Sequence, residues 1–193
     1  MPHGRGLNLD DGADALTNAQ HAGIDAPSAW VARWASRIAP GGAVLDVACG
    51  GGRHARLLAT LGHTVQAVDR NRETLTSLAG VPGVSTLYAD LEGAPWPYAD
   101  RLFAAIVVTN YLHRPLFPWL LDALATPGVL IYETFAAGNE RYGRPSNPDF
   151  LLQPGELLER VRGRLAVVAY EHMVVSTPRP AVVQRICAER DAG

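Results

Sequence analysis

The chain of 193 residues contains no lysine; all 17 of its basic residues are arginine. Against 19 acidic residues these leave a net charge of −2, so the chain lacks the one-sided charge of a nucleic-acid binder or a membrane-surface protein. Cysteine is almost absent. Cys49 and Cys187 lie far apart without a CxxC partner, which excludes a zinc site of usual spacing and makes a disulfide unnecessary. No metal site is expected. Long apolar runs are missing too: none reaches eighteen residues, which excludes a membrane-spanning helix, and Met1–Thr17 is polar, without the apolar core of a secretory signal. There is no internal repeat and no low-complexity linker. What is present is an ordinary globular composition, 48% apolar, at a length suited to one sizeable domain. The expectation is a cytoplasmic protein with a mobile segment or lid over residues 1–25 and a single domain over 26–193.

Apolar patterning then alternates strand and helix. Trp30, Val31, Trp34 and Ile38 form the core stripe of a first helix that Ser28 opens and Pro40-Gly41-Gly42 stops. Strands are expected over Ala43–Val47, Thr64–Val68, Val84–Ala89, Leu102–Thr109 and Val129–Thr134. Helices are expected over Gly52–Leu61, Arg72–Ala79, Pro115–Leu124 and Pro154–Arg162. The last two strand-like runs, Leu165–Val175 and Ala181–Cys187, are joined by Thr177-Pro178-Arg179-Pro180. That turn is too short for a crossover helix, so the pair must be antiparallel. The fold class is α/β: a doubly wound, mainly parallel, Rossmann-like sheet closed by a hairpin.

Asp46, Asp69, Asp90, Asn110 and Glu133 all fall at or near strand ends, where open sheets of this kind bind ligands. Between the first strand and its helix, Gly50-Gly51-Gly52-Arg53-His54-Ala55 satisfies the dinucleotide pattern G-x-G-x-x-[GA], and Asp69 has the spacing of a ribose contact. Two features oppose a nicotinamide cofactor. Asp46 would stand against a pyrophosphate, and the chain ends in a hairpin where a second parallel half would follow. A ligand with a positive centre and a ribose suits the acids better, and S-adenosylmethionine has both.

Val44-Leu45-Asp46-Val47-Ala48-Cys49-Gly50-Gly51-Gly52 resembles motif I of the class I S-adenosylmethionine-dependent methyltransferases, in the form D-x-A-C-G-x-G. Val68-Asp69-Arg70 is similar to the acidic end of that family's second strand, and Tyr88-Ala89-Asp90-Leu91 to its adenine-side segment. The resemblance extends from about Trp30 to Cys187. Gly52-Arg53-His54-Ala55 with Leu61-Gly62-His63-Thr64-Val65 is similar to the small tellurite-resistance-type methyltransferases within it. The resemblance implies a seven-stranded sheet with a reversed C-terminal strand and S-adenosylmethionine as cofactor. It places Asp46, Ala48, Gly50 and Gly52 around the methionine part and Asp69, with Arg70, at the ribose. Asp90 then receives the adenine amino group, Leu91 lies against the ring, and Asn110 faces the methionine end or the methyl. Alternative roles stay open: Asp90 as a turn former, Asp46 as a structural cap of the glycine loop.

Holding a methyl donor in line with a good nucleophile asks little of side chains, so catalytic residues are harder to read than cofactor ones. The loop Asn110-Tyr111-Leu112-His113-Arg114-Pro115 supplies the candidates Tyr111, His113 as base and Arg114 as a grip on an anionic acceptor; Arg141 and Arg144 are further grips. His113 and Arg114 have the alternative of bracing the following helix. Gly143–Asp149 and Asn18–Pro27, with His21, are candidate lids, whereas Trp30 and Trp34 read as core. The expected function is methyl transfer to a small-molecule acceptor (EC class 2.1.1). RNA methylation and a non-catalytic S-adenosylmethionine-binding sensor or partner protein are the alternatives. No membrane partner is expected. A nucleic-acid partner is disfavoured by the charge and by Asn110-Tyr111-Leu112-His113 standing where base methyltransferases carry an N-P-P-Y-type motif.

Overall fold

The structure is a computed structural model that describes residues 26–191. The proposed N-terminal segment and His21 lie outside the described residues. Ser28 caps the first helix, α1 (Ala29–Trp34), by accepting the Trp30 amide on its hydroxyl, and a 3-10 turn follows over Ala35–Arg37. The chain then alternates: β1 (Ala43–Val47), α2 (Arg53–Thr60), β2 (Thr64–Asp69), α3 (Arg72–Thr76), β3 (Val84–Tyr88) and β4 (Phe103–Thr109). A 3-10 turn over Arg114–Leu116 leads into α4 (Phe117–Asp122), then β5 (Leu124–Phe135), α5 (Glu156–Val161), β6 (Ala166–Val175) and β7 (Ala181–Arg190).

The seven strands form one sheet in the order β3-β2-β1-β4-β5-β7-β6. β7 runs antiparallel to both β5 and β6, as the short turn before it requires, and the other pairings are parallel. The order reverses between β1 and β4, and a ligand site is expected beyond the carboxyl ends of strands at such a point.

Side chains alternate across the sheet and fill two cores. Leu45, Val47, Ile106 and Val108 meet Phe117, Leu120, Leu157 and Val161 of α4 and α5 on one face. On the other, Val44, Val65, Ala67 and Val107 meet Trp30, Leu58 and Leu78. Trp30 is buried, and its indole N–H donates to the Ile186 carbonyl, so it is core as its spacing implies.

Several boundaries move. The expected helix over Arg72–Ala79 ends at Thr76. The expected helix at Pro154 begins at Glu156, because Gly155 takes a left-handed φ of 75° just before it. Strands β5 and β7 run longer than their apolar cores, with Gly128 opposite Arg190 at one end of their pairing. Tertiary pairing extends both strands into residues that alternation alone does not mark.

Candidate functional site

β1 ends at the glycine turn, where Ala48, Gly50 and Gly52 all take positive φ (50°, 54° and 75°). Such angles open the backbone away from the sheet and let it wrap a ligand. The turn is stitched to β2: the Cys49 amide donates to the Val68 carbonyl at 3.0 Å. At the end of β2, Asp69 receives the Gly50 amide on Oδ2 and the Asn71 amide on Oδ1, each at 2.8 Å. Two backbone donors thus fix its orientation, and each oxygen keeps acceptor capacity for a ligand hydroxyl.

Beside it opens a cleft of about 380 Å³. Of the residues singled out in the sequence, Ala48, Asp69, Arg70, Asp90, Leu91, Asn110 and Tyr111 line it. Glu92, Thr134, Phe135, Pro145 and Phe150 also line it and were not read as cofactor residues. Three carboxylates (Asp69, Asp90 and Glu92) face one guanidinium, Arg70, which lies 4.0 Å from Glu92. That balance repels a pyrophosphate and fits a nucleoside bearing positive charge. The positive-φ turn leaves room for the chain of such a ligand, so the residues fit S-adenosylmethionine.

Asp90 does turn-forming work as well: its Oδ1 accepts the Glu92 amide at 3.0 Å. The Glu92 and Gly93 amides hold its carboxyl below the usual carboxylate range.

Asp46, Gly50 and Gly52 do not line the cleft. Asp46 is 1% exposed, and neither carboxylate oxygen has a hydrogen-bond partner. Burial raises its pKa to about 7, although the Ala55 amide (short of full hydrogen-bond geometry) and the Arg53 charge favour the ionised form. Below its ordinary pKa of 3.8, folded and unfolded chains both hold the proton. As pH rises towards 7 only the unfolded chain releases it, so this group's contribution to stability falls across that window and then levels off. Asp46→Asn removes the fall. Urea midpoints of the two proteins at several pH values in that window should therefore diverge, wild type losing ground as pH rises; a constant difference rejects a buried, uncompensated carboxyl.

The catalytic candidates separate. Tyr111 lines the cleft, but burial and the neighbouring Glu92 charge raise its pKa, which makes it a poor base. His113 lines neither this cleft nor the cavity beside it; its carbonyl accepts the Leu116 amide in the 3-10 turn before α4. Arg114 does not reach the acceptor region. Its guanidinium forms a two-point pair with Glu156, at 2.8 and 2.9 Å, and donates to the carbonyls of Asp149 and Leu151. Burial pushes the Glu156 carboxyl up, but bonds from Arg114, Arg160 and the Gln153 amide overcome this and take it down to about 2. Arg114 is thus a brace for the segment that carries Phe150 into the cleft.

The candidate lid at Gly143–Asp149 is anchored rather than free-standing. The buried Asn139 donates to the Pro145 carbonyl at 2.9 Å and accepts the Val182 amide at 3.2 Å. Arg141 and Arg144 are exposed and line neither cavity.

A second cavity of about 420 Å³ adjoins the cleft and shares Asn110 and Phe135 with it. Asn110 holds a φ of 55° at the end of β4, and its amide donates to the Glu133 carbonyl. On the far side, Ser28 joins three elements. Its amide donates to Nε2 of His54 at 3.0 Å, and its hydroxyl donates to Glu133 at 2.8 Å. Because Nε2 accepts, the His54 proton sits on Nδ1, which faces the Thr109 hydroxyl at 3.2 Å. Burial, with Arg53 adding to it, lowers the His54 pKa to about 3, so the ring is a neutral clamp and not a base.

Residues 44–126 match the family model described as a methyltransferase domain. The sheet order and the reversed last strand are those of the class I methyltransferase fold, and the matched segment spans β1 to the start of β5 within it. Among solved structures the chain is similar to TehB from Haemophilus influenzae, with a TM-score of 0.73 and 19% identity over 86% of this chain and 63% of that one. The chain therefore spans less than two thirds of that relative's length. A TehB-like methyltransferase from Corynebacterium glutamicum gives a TM-score of 0.63 and 20% identity over 94% and 97% of the two chains. A methyltransferase from Mesorhizobium loti gives 0.64 and 18% over 84% and 99%. At such identities the likeness is one of fold. No curated protein matches the sequence significantly. Among the described residues, no helix is long and apolar enough to cross a membrane.

Proposed function

We propose that the protein transfers a methyl group from S-adenosylmethionine to a small-molecule acceptor. The observation that carries this reading is the pair of adjoining cavities, about 380 and 420 Å³, meeting at Asn110 and Phe135. Each has the size of a small-molecule site. The cofactor supplies an electrophilic methyl on a sulfonium. Asp69 holds the ribose through both carboxylate oxygens, Leu91 and Phe150 flank the cleft, and Asn110 stands at the junction where donor and acceptor meet. Asp46, Ala48, Gly50, Gly52, Arg70 and Asp90 belong to the same donor site in this reading, with Tyr111 in its wall.

Neither His54 nor Tyr111 is suited to accept a proton near neutral pH, and His113 lines neither cavity. The arrangement favours an acceptor that arrives with its lone pair free, for which positioning alone is worth about 7–11 kcal/mol.

The test is methyl-labelled donor with three acceptor sets: small thiols, amines and acids; total RNA; and a protein mixture. Label moving into the small-molecule set alone is the expected result. Transfer to RNA alone, or tight donor binding with no transfer to any set, overturns the proposal in favour of RNA methylation or a sensor.

A further inference from the structure

We infer that the acceptor is an organic anion, and that Arg179 in the β6–β7 turn receives its anionic group. This deepens the reading above and rests on it. Among the described residues, three guanidinium groups line the second cavity, from Arg53, Arg179 and Arg185, against a single carboxylate, Glu133. Their partners set them apart.

Arg185 is committed. It lies 3.2 Å from Glu133 and 2.6 Å from Glu171, and its guanidinium covers the Trp30 ring at 4.9 Å. It therefore answers the one acid in the cavity wall among the described residues. Arg53 donates to the Ala26 carbonyl at 3.2 Å. Arg179 meets no carboxylate within ion-pair distance among the described residues. It donates to the Arg144 carbonyl at 3.0 Å, and its guanidinium carbon lies 5.9 Å from the centre of the Phe135 ring. A guanidinium presents five donors in a planar fork, so most of the Arg179 donors remain for an oxyanion.

Apart from Ser28, Asn110 and Thr177, the rest of the wall is apolar, with Phe135, Val175 and Val183 its largest side chains. Because Phe135 and Asn110 also border the donor cleft, a molecule anchored at Arg179 extends its apolar body towards the methyl. A bare inorganic anion would leave that wall uncovered. The acceptor is accordingly an apolar body carrying a carboxylate or phosphate at the end remote from the attacking atom.

The experiment uses the full chain saturated with S-adenosylhomocysteine, whose binding is measured first. The probes are 3-phenylpropionate, phenyl phosphate and the neutral 3-phenylpropionamide, followed by calorimetry or ligand-detected NMR. The wild type should prefer at least one of the two anions over the amide by about tenfold or more. The preferred anion identifies the group, Arg179→Gln should erase the preference, and Arg179→Lys should keep part of it. Equal binding of acids and amide, binding of no probe at millimolar concentration, or an anion preference that survives Arg179→Gln overturns the inference. The two proposals fail separately: lost S-adenosylhomocysteine binding strikes at the donor site, whereas normal binding without anion preference strikes only at Arg179.

Discussion

Asp69→Asn should weaken binding of S-adenosylmethionine and S-adenosylhomocysteine by about two to four orders of magnitude, with the fold intact. Both carboxylate oxygens of Asp69 already accept a backbone amide, from Gly50 and from Asn71, each at 2.8 Å. An asparagine in that place must turn its NH2 towards one of the two donors. It loses that bond and removes one of the two ribose acceptors at once. Each charged hydrogen bond contributes about 1.5–3 kcal/mol, and two of them account for the range. The glycine turn itself also loosens, because the Gly50 amide is one of its ties to β2. Calorimetry with S-adenosylhomocysteine measures the loss, and circular dichroism checks the fold. Affinity within tenfold of wild type would show that Asp69 is a turn residue and nothing more.

Gly52→Ala should cost about 2–5 kcal/mol of stability, a large share of the roughly 5–15 kcal/mol that holds a domain of this kind together. Gly52 sits just before α2 with a φ of 75°, a conformation that costs a residue with a Cβ about 1–2 kcal/mol. The added Cβ would also lie 2.3 and 2.5 Å from the two methyls of Leu78 and 2.7 Å from its Cγ. Leu78 is 1% exposed and packed in the core between helices and sheet, so it has little space to retreat into. Neighbouring Gly51 provides the contrast. A Cβ there meets nothing within 4 Å and its φ is not positive, so Gly51→Ala should leave the urea midpoint nearly unchanged. Equal midpoints for the two variants would refute the packing role of Gly52.

The same contrast shows why part of the site is legible in the chain and part is not. The cleft beside Asp69 is written locally. Asp46, the glycine turn and Asp69 follow one another along β1, α2 and β2, and a parallel sheet places successive strand ends side by side. A motif of 24 residues therefore already implies Asp69 beside the turn, and Ala48, Asp69, Asp90, Leu91 and Asn110 do line one cleft. Phe150 and Pro145 carry no comparable signal. They enter the cleft because Asn139 and Arg114 tie a long loop back onto β7 and α5, through contacts with residues far along the chain.

Arg114 shows the opposite case. Its place after β4, among aromatic and histidine neighbours, points to the acceptor, yet Glu156, 42 positions later, takes its charge. A guanidinium goes to the carboxylate that folding brings nearest, and sequence order does not rank those candidates. Arg179 is hidden for the same reason in reverse. In the sequence it belongs to a proline turn between two strands, and only the insertion of β7 between β5 and β6 carries that turn to the cavity bordered by Phe135.

By itself, then, the sequence determined the alternation of strand and helix, the closing hairpin and the glycine turn beside Asp69 at the strand ends. Each of these rests on neighbours within a few tens of residues and on the two-residue and 3.6-residue periods of the backbone. Tertiary structure alone decided which arginine is spent on an ion pair, which histidine is buried and neutral, and where the second cavity opens. Those outcomes depend on burial and on charge pairing between distant segments, and both come into being only when the sheet assembles.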